Sequence, residues 1–86
     1  MELEITDTAK EDIKFFIKSG QTGLVKKIEK LLIEIKQTPF SGTGKPEPLR
    51  HNHTGKWSRR INSEHRIIYK LDNEIIYIYS TRGHYK

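Results

Sequence analysis

The sequence predicts an α+β domain, two N-terminal helices packed on an antiparallel β-sheet, with residues 1–86 forming one unit. Apolar residues recur at helical spacing through the first half of the chain, and β-branched and aromatic runs broken by turn pairs replace them in the second. The length of 86 residues is enough for one small hydrophobic core and leaves nothing for another.

Residues 2–5 supply an edge strand. Ala9, Ile13, Phe16 and Ile17 then follow at helical spacing, with Thr8 and Glu11 as a capping box behind Asp7 and Gly20 as a stop. Leu24, Ile28, Leu31, Leu32 and Ile35 form a second apolar stripe, while Lys26, Lys27, Glu29, Lys30 and Glu34 fall on or near the other side. Pro39 ends that helix. Packing on a sheet accounts for both stripes better than docking of another chain. The runs "KWSRRIN", "HRIIYKL" and "EIIYIYSTR", separated by "SE" and by the tight-turn pair "DN", read as an antiparallel meander. One face of this sheet is left open.

Between the halves, "TPFSGTGKPEPLRHNHTG" is a loop punctuated throughout by Pro and Gly. Within it, the two glycines and lysine of "SGTGKPEP" lack the preceding strand, the spacing and the following helix of a phosphate-binding P-loop, which excludes nucleotide binding of that kind. Pro46 and Pro48 flank Glu47 and restrict the backbone on either side of its carboxylate. His51 and His53 alternate but have no third ligand, too little for a zinc site. Trp57 sits in an alternating strand and is expected to pack. Arg59 and Arg60 point to opposite faces of a regular strand, so one of them at most joins any single site.

Composition narrows the function classes. Without cysteine the chain has neither disulfides nor thiolate metal ligands, which suits a reducing cytoplasm. The longest aliphatic and aromatic run, Ile75 to Tyr79, is far below the roughly 18 residues of a membrane span. The acidic start "MELEITDTAK" has none of the regions of a signal peptide. Sixteen Lys and Arg oppose eleven Asp and Glu, for a net charge of +5. The excess is local: Lys45, Arg50, Lys56, Arg59, Arg60, Arg66 and Lys70 meet only Glu47 and Glu64. Such a field attracts a polyanion.

Glu47, Arg50, Arg60, Arg66 and His84 contain the parts needed to cleave RNA without a metal. A base takes the proton of a 2′-hydroxyl, cations stabilise charge building on the phosphate, and an acid protonates the leaving 5′-oxygen. Histidine, with an ordinary pKa of about 6.5, suits the acid beside a phosphate. Tyr85 suits stacking on a base or holding a phosphate. Lys45 and Arg59 complete the candidate phosphate-binding cations, with Arg50 and Arg60.

The run "TPFSGTGKPEPLRHNHTGKWSRRINSEHRIIY" and the ending "RGHY" resemble the YoeB (Txe/YoeB) toxins of the RelE superfamily, ribosome-dependent mRNA interferases of bacterial toxin-antitoxin modules. The resemblance covers nearly the whole chain, and "GKPEPL", "WSRRI" and "EHR" carry its specificity. It implies the microbial-ribonuclease-like fold. It also implies Glu47 as general base, Arg66 as the phosphate-stabilising arginine, His84 and Tyr85 as the terminal catalytic pair, and Arg60 as a second arginine of the active surface. Arg50 stands where relatives often have lysine, which changes hydrogen-bond geometry but not charge. Lys86 extends beyond the tyrosine at which the family pattern commonly ends. The implied partners are a YefM-type antitoxin with an acidic, partly disordered C-terminal segment, the ribosomal A site and its mRNA, with homodimerisation left open and no cofactor. A non-catalytic ribosome- or RNA-binding domain and a gyrase-directed toxin of the ParE type are the competing readings.

Overall fold

The computed structural model describes residues 1–50 and 54–83. In chain order they form β1 (Glu2–Ile5), α1 (Asp7–Lys18), α2 (Thr22–Gln37), β2 (Glu47–Pro48), β3 (Trp57–Arg60), β4 (Arg66–Asp72) and β5 (Ile75–Ser80). The strands make one sheet in the order β1-β5-β4-β3-β2. Two helices on a sheet are present as expected, with one addition to the topology. β2 through β5 form antiparallel pairs, whereas β1 lies parallel to β5 and makes the sheet mixed. A parallel pair requires a long connection, and α1, α2 and the other strands lie between β1 and β5 in the chain.

The start of α1 is set two residues earlier than the expected capping box. Thr6 is the N-cap: its Oγ1 accepts a hydrogen bond from the Ala9 amide and donates to the carbonyls of Ile78 and Tyr79. One hydroxyl therefore both caps the helix and fastens it to β5, a tertiary gain unavailable to Thr8. At the other end, Gly20 takes φ +76°, and the amides of Gly20 and Gln21 close on the carbonyls of Ile17 and Phe16. α2 ends at Gln37, and Pro39 follows its C-cap Thr38. The β4–β5 turn is also shifted by one: Asp72 still belongs to β4, and Asn73 and Glu74 carry φ of +50° and +65°. Positive φ at both central residues is the conformation that matches strand twist in a two-residue hairpin.

Ala9 and Phe16 of α1 and Ile28, Leu31, Leu32 and Ile35 of α2 meet Ile61, Ile67, Tyr69, Ile76 and Ile78 in one core. Ile13, Leu24 and Trp57 pack at its margin as expected, but Ile17 is exposed, one step round the helix from Phe16. Alternation along the strands sends the other residues to the face without helices: Ser58 and Arg60 from β3, Arg66, Ile68 and Lys70 from β4, and Tyr77 and Tyr79 from β5. Among the described residues no helix is long and apolar enough to cross a membrane.

Candidate active site

The register of the open face decides which candidate residues meet. Glu47 lies directly opposite Ser58, Ser58 opposite Ile68, and Arg60 opposite Arg66. Directly opposed residues have Cβ atoms about 5 Å apart, and diagonal neighbours lie about 7–8 Å apart. Glu47, from one strand, and Arg60 and Arg66, from the hairpin beside it, therefore surround Ser58 on one surface. The Arg66 Nη1 is 3.5 Å from the Ser58 Oγ, at the outer limit of a hydrogen bond. Two arginines directly opposite one another repel, which costs stability unless an anion lies between them.

β2 carries only Glu47 and Pro48, and its position depends on the loop before it. The Arg60 amide donates to the Gly44 carbonyl at 2.7 Å, and the Leu49 amide donates to the Lys56 carbonyl at 2.8 Å, so pairing brackets Glu47 on both sides. Lys45 and Arg50, exposed on either side of β2, border the carboxylate in sequence. Lys45 has φ +50°, a left-handed backbone that a lysine adopts only when its surroundings enforce it.

Arg59 departs from the expectation that it joins the phosphate-binding cations. It is completely buried on the helix side of the sheet. Its Nη2 donates to the carbonyls of Thr38 at 2.9 Å and Ser41 at 2.8 Å, and its Nη1 lies 3.4 Å from Glu34 Oε1. The same Glu34 oxygen accepts from the Thr43 amide, and the Tyr69 hydroxyl donates to the Pro39 carbonyl at 2.6 Å. Arg59 thus organises the inside of the loop that delivers Glu47, and its charge is unavailable to a ligand on the open face. Gly44 is required there. A Cβ would stand 2.7 Å from both Arg59 Cγ and the Arg60 carbonyl oxygen. Burial raises the pKa of Tyr69, and the nearby positive charge of Arg59 opposes part of that rise.

The far side of the site is the exit of β5. The Gly83 amide donates to His65 Nδ1 at 2.8 Å, and the Gly83 carbonyl accepts from the Arg66 amide at 3.1 Å. The residue preceding His84 is therefore tied to the backbone of Arg66. His84, Tyr85 and Lys86, like His51 and His53, lie outside the described residues. Sequence reasoning had assigned no role to Ser58 or His65. Strand parity relates Ser58 to Arg60 once the open face is known, whereas the contact of His65 with Gly83 has no local signal.

A family model described as "YoeB-like toxin of bacterial type II toxin-antitoxin system" matches residues 5–85. The toxin YoeB of Escherichia coli K12 is 50% identical over 62 residues, 72% of this chain and 74% of its own length. A YoeB/ParE toxin from Agrobacterium tumefaciens superposes with a TM-score of 0.93 at 38% identity, covering 99% of this chain and 100% of that one. The heterotetrameric YoeB-YefM toxin-antitoxin complex from Staphylococcus aureus superposes with a TM-score of 0.85 at 42% identity, covering 99% and 98%, and the YoeB dimer of that organism is similarly close. With the family model spanning most of the chain and Glu47, Arg60 and Arg66 gathered on its open sheet face, the chain belongs to the YoeB-like toxins of bacterial type II toxin-antitoxin systems.

Proposed function

We propose that the protein is a ribosome-dependent endoribonuclease that cuts mRNA in the ribosomal A site and so inhibits translation. The observation that carries this reading is the register that puts Glu47 beside the Arg60–Arg66 pair on the open sheet face. Glu47 removes the proton from a 2′-hydroxyl, whose oxygen attacks the adjacent phosphorus. Arg66 and Arg60 stabilise the negative charge that grows on the phosphoryl oxygens. The bond from phosphorus to the 5′-oxygen breaks, and His84 supplies the proton to that oxygen. The products are a 2′,3′-cyclic phosphate and a 5′-hydroxyl. Every proton and electron pair is accounted for within RNA, Glu47 and His84, and no oxidant, metal or cofactor enters the step. Tyr85 stacks or holds the substrate, and Lys45 and Arg50 hold flanking phosphates. The ribosome positions the mRNA, which a shallow, exposed surface cannot do by itself.

Its regulator in this reading is a YefM-type antitoxin. An acidic segment laid over the same cationic face would compete directly with RNA, and the Staphylococcus aureus relative is known in a YoeB-YefM complex. Self-association follows the dimer of the same relative.

Primer extension on a defined mRNA in a purified translation reaction tests the proposal. Wild-type protein is expected to cut at the A-site codon only with ribosomes present, and Glu47→Gln is expected to lose about 100- to 10,000-fold in rate. Undiminished cutting by Glu47→Gln overturns the assignment of the base. Ribosome binding without cleavage supports a binding domain instead, and toxicity that damages DNA while mRNA stays intact supports a gyrase-directed toxin.

A further inference from the structure

Three consecutive residues after β5 are each fastened to another part of the fold. The Thr81 amide donates to Asp12 Oδ2 of α1 at 2.9 Å. The Arg82 guanidinium lies over the Phe15 ring of α1, 3.6 Å from its centroid. Gly83 has both of its backbone polar groups taken, by His65 Nδ1 and by the Arg66 amide. A segment close to the end of a chain normally frays, because few contacts offset its conformational entropy. Here Thr81, Arg82 and Gly83 are each held, and the contacts of Gly83 are with His65 and Arg66.

His65 is the unusual member of this set. Its backbone amide is held by Asn62 Oδ1 at 2.8 Å, and its ring packs edge-on against the fully buried Phe16, with centroids 5.0 Å apart. Backbone and ring are thus fixed from two directions, which aims Nδ1 at the Gly83 amide. In that bond Nδ1 is the acceptor, and the ring acts on the backbone of Gly83 through this one atom. Gly83 itself has φ +82° with nothing within 4 Å of a Cβ position. Its conformation is therefore set by its hydrogen bonds rather than by crowding.

We infer that His65 is a positioning residue for the cleavage reaction: through Nδ1 it fixes Gly83, the residue that precedes His84 and Tyr85 in the sequence, beside Arg66. The inference rests on the proposed nuclease activity, and it assigns α1 a second task. Phe16 carries His65, while Asp12 and Phe15 hold Thr81 and Arg82, so the helix anchors the segment leading to His84 as well as covering the core. His65 touches no reacting atom. It acts by orientation, and misplacing a catalytic group by about 1 Å costs on the order of 100-fold in rate.

The test compares His65→Phe with His65→Asn in the ribosome-dependent cleavage assay, with thermal unfolding and ribosome binding measured on the same proteins. Phenylalanine keeps a ring against Phe16 and removes the acceptor; asparagine loses the ring but offers Oδ1 near the place of Nδ1. The expected result is a fall in kcat of about 100-fold for His65→Phe with ribosome binding unchanged, and recovery of most of that loss in His65→Asn. In a His84→Gln background, His65→Phe should add little, because the group it positions is already gone. Wild-type cleavage by His65→Phe overturns the inference and leaves the nuclease reading intact. Equal losses in both variants, or a loss that follows unfolding, also overturn it by assigning His65 to packing alone. Absence of cleavage by the wild type removes the nuclease reading and the inference together.

Discussion

The two faces of β3 and β4 use the same residue type for opposite purposes. Arg59 and Arg60 are neighbours in sequence, yet one is wholly buried and the other exposed. On the helix side, Arg59 is surrounded by oxygen acceptors from Thr38, Ser41 and Glu34, so its charge is compensated within the fold. On the open side, Arg60 stands directly opposite a second cation, Arg66. A charge buried with its partners is structural, because its removal leaves those partners unpaired. Among the described residues neither Arg60 nor Arg66 has an ion pair to offset its charge. The contrast teaches that a cation compensated within the fold is structural, whereas cations without an ion pair among the described residues are the ones left available to a ligand.

Breaking each side separately should give different failures. Arg59→Met is expected to destabilise the fold by about 3 kcal/mol, because Glu34 and the loop carbonyls lose their donor. For a domain of this size that lowers Tm on the order of 10–20 °C in a thermal melt. Arg60→Met should change stability by less than about 0.5 kcal/mol. It should still slow A-site cleavage, by about 10-fold or more, through loss of phosphate stabilisation. Equal stability losses for the two would erase the distinction.

A smaller effect sharpens the same comparison at two glycines. Gly44, with φ +88°, packs against Arg59 and the Arg60 backbone, whereas Gly20, with φ +76°, has nothing within 4 Å of a Cβ position. Alanine at position 20 meets only the conformational cost of a left-handed backbone, about 1 kcal/mol. Alanine at position 44 adds a clash with backbone, for a loss of about 2–3 kcal/mol and a displaced Glu47. Urea unfolding of the two variants measures the difference.

The smallest effect is on the buried side. Tyr69 keeps its proton in the fold to a higher pH than in the unfolded chain, because burial disfavours the phenolate. Its contribution to stability is complete below the ordinary tyrosine value of 10.0 and declines as pH rises from there through the raised value. Thermal melts across this range should show the decline in wild type and a weaker one in Tyr69→Phe, which has no proton to lose.

Much of this architecture was legible in local sequence. The stripe of Leu24, Ile28, Leu31, Leu32 and Ile35 is the buried side of α2, and Trp57 packs as its strand context implied. The catalytic candidates Glu47 and Arg66 were legible through the motifs "GKPEPL" and "EHR", but their proximity was not. The errors have a common origin. Thr6 replaces Thr8 as the cap of α1 because its hydroxyl also reaches β5, and Ile17 is exposed because the core contacts only one narrow stripe of the helix. Arg59 left the phosphate-binding set because the loop from Thr38 to Thr43 folds its carbonyls over that side of β3.

Taken alone, the sequence determined the two helices, the strands β1 and β3–β5 and their order, the helix-covered and open layers, and the presence of one carboxylate among many cations, while β2 lay within what reads as a loop. Those properties depend on periodicity, turn residues and side-chain type, all of which are local. Tertiary structure alone decided that β1 runs parallel to β5, that Arg60 rather than Arg59 faces the open side of the sheet, and that His65 holds Gly83 beside Arg66. A period of two separates the faces of a strand without saying which one will be covered. That choice belongs to hydrogen bonds and contacts between residues distant in the chain, which exist only once the helices and the loop have closed over one side.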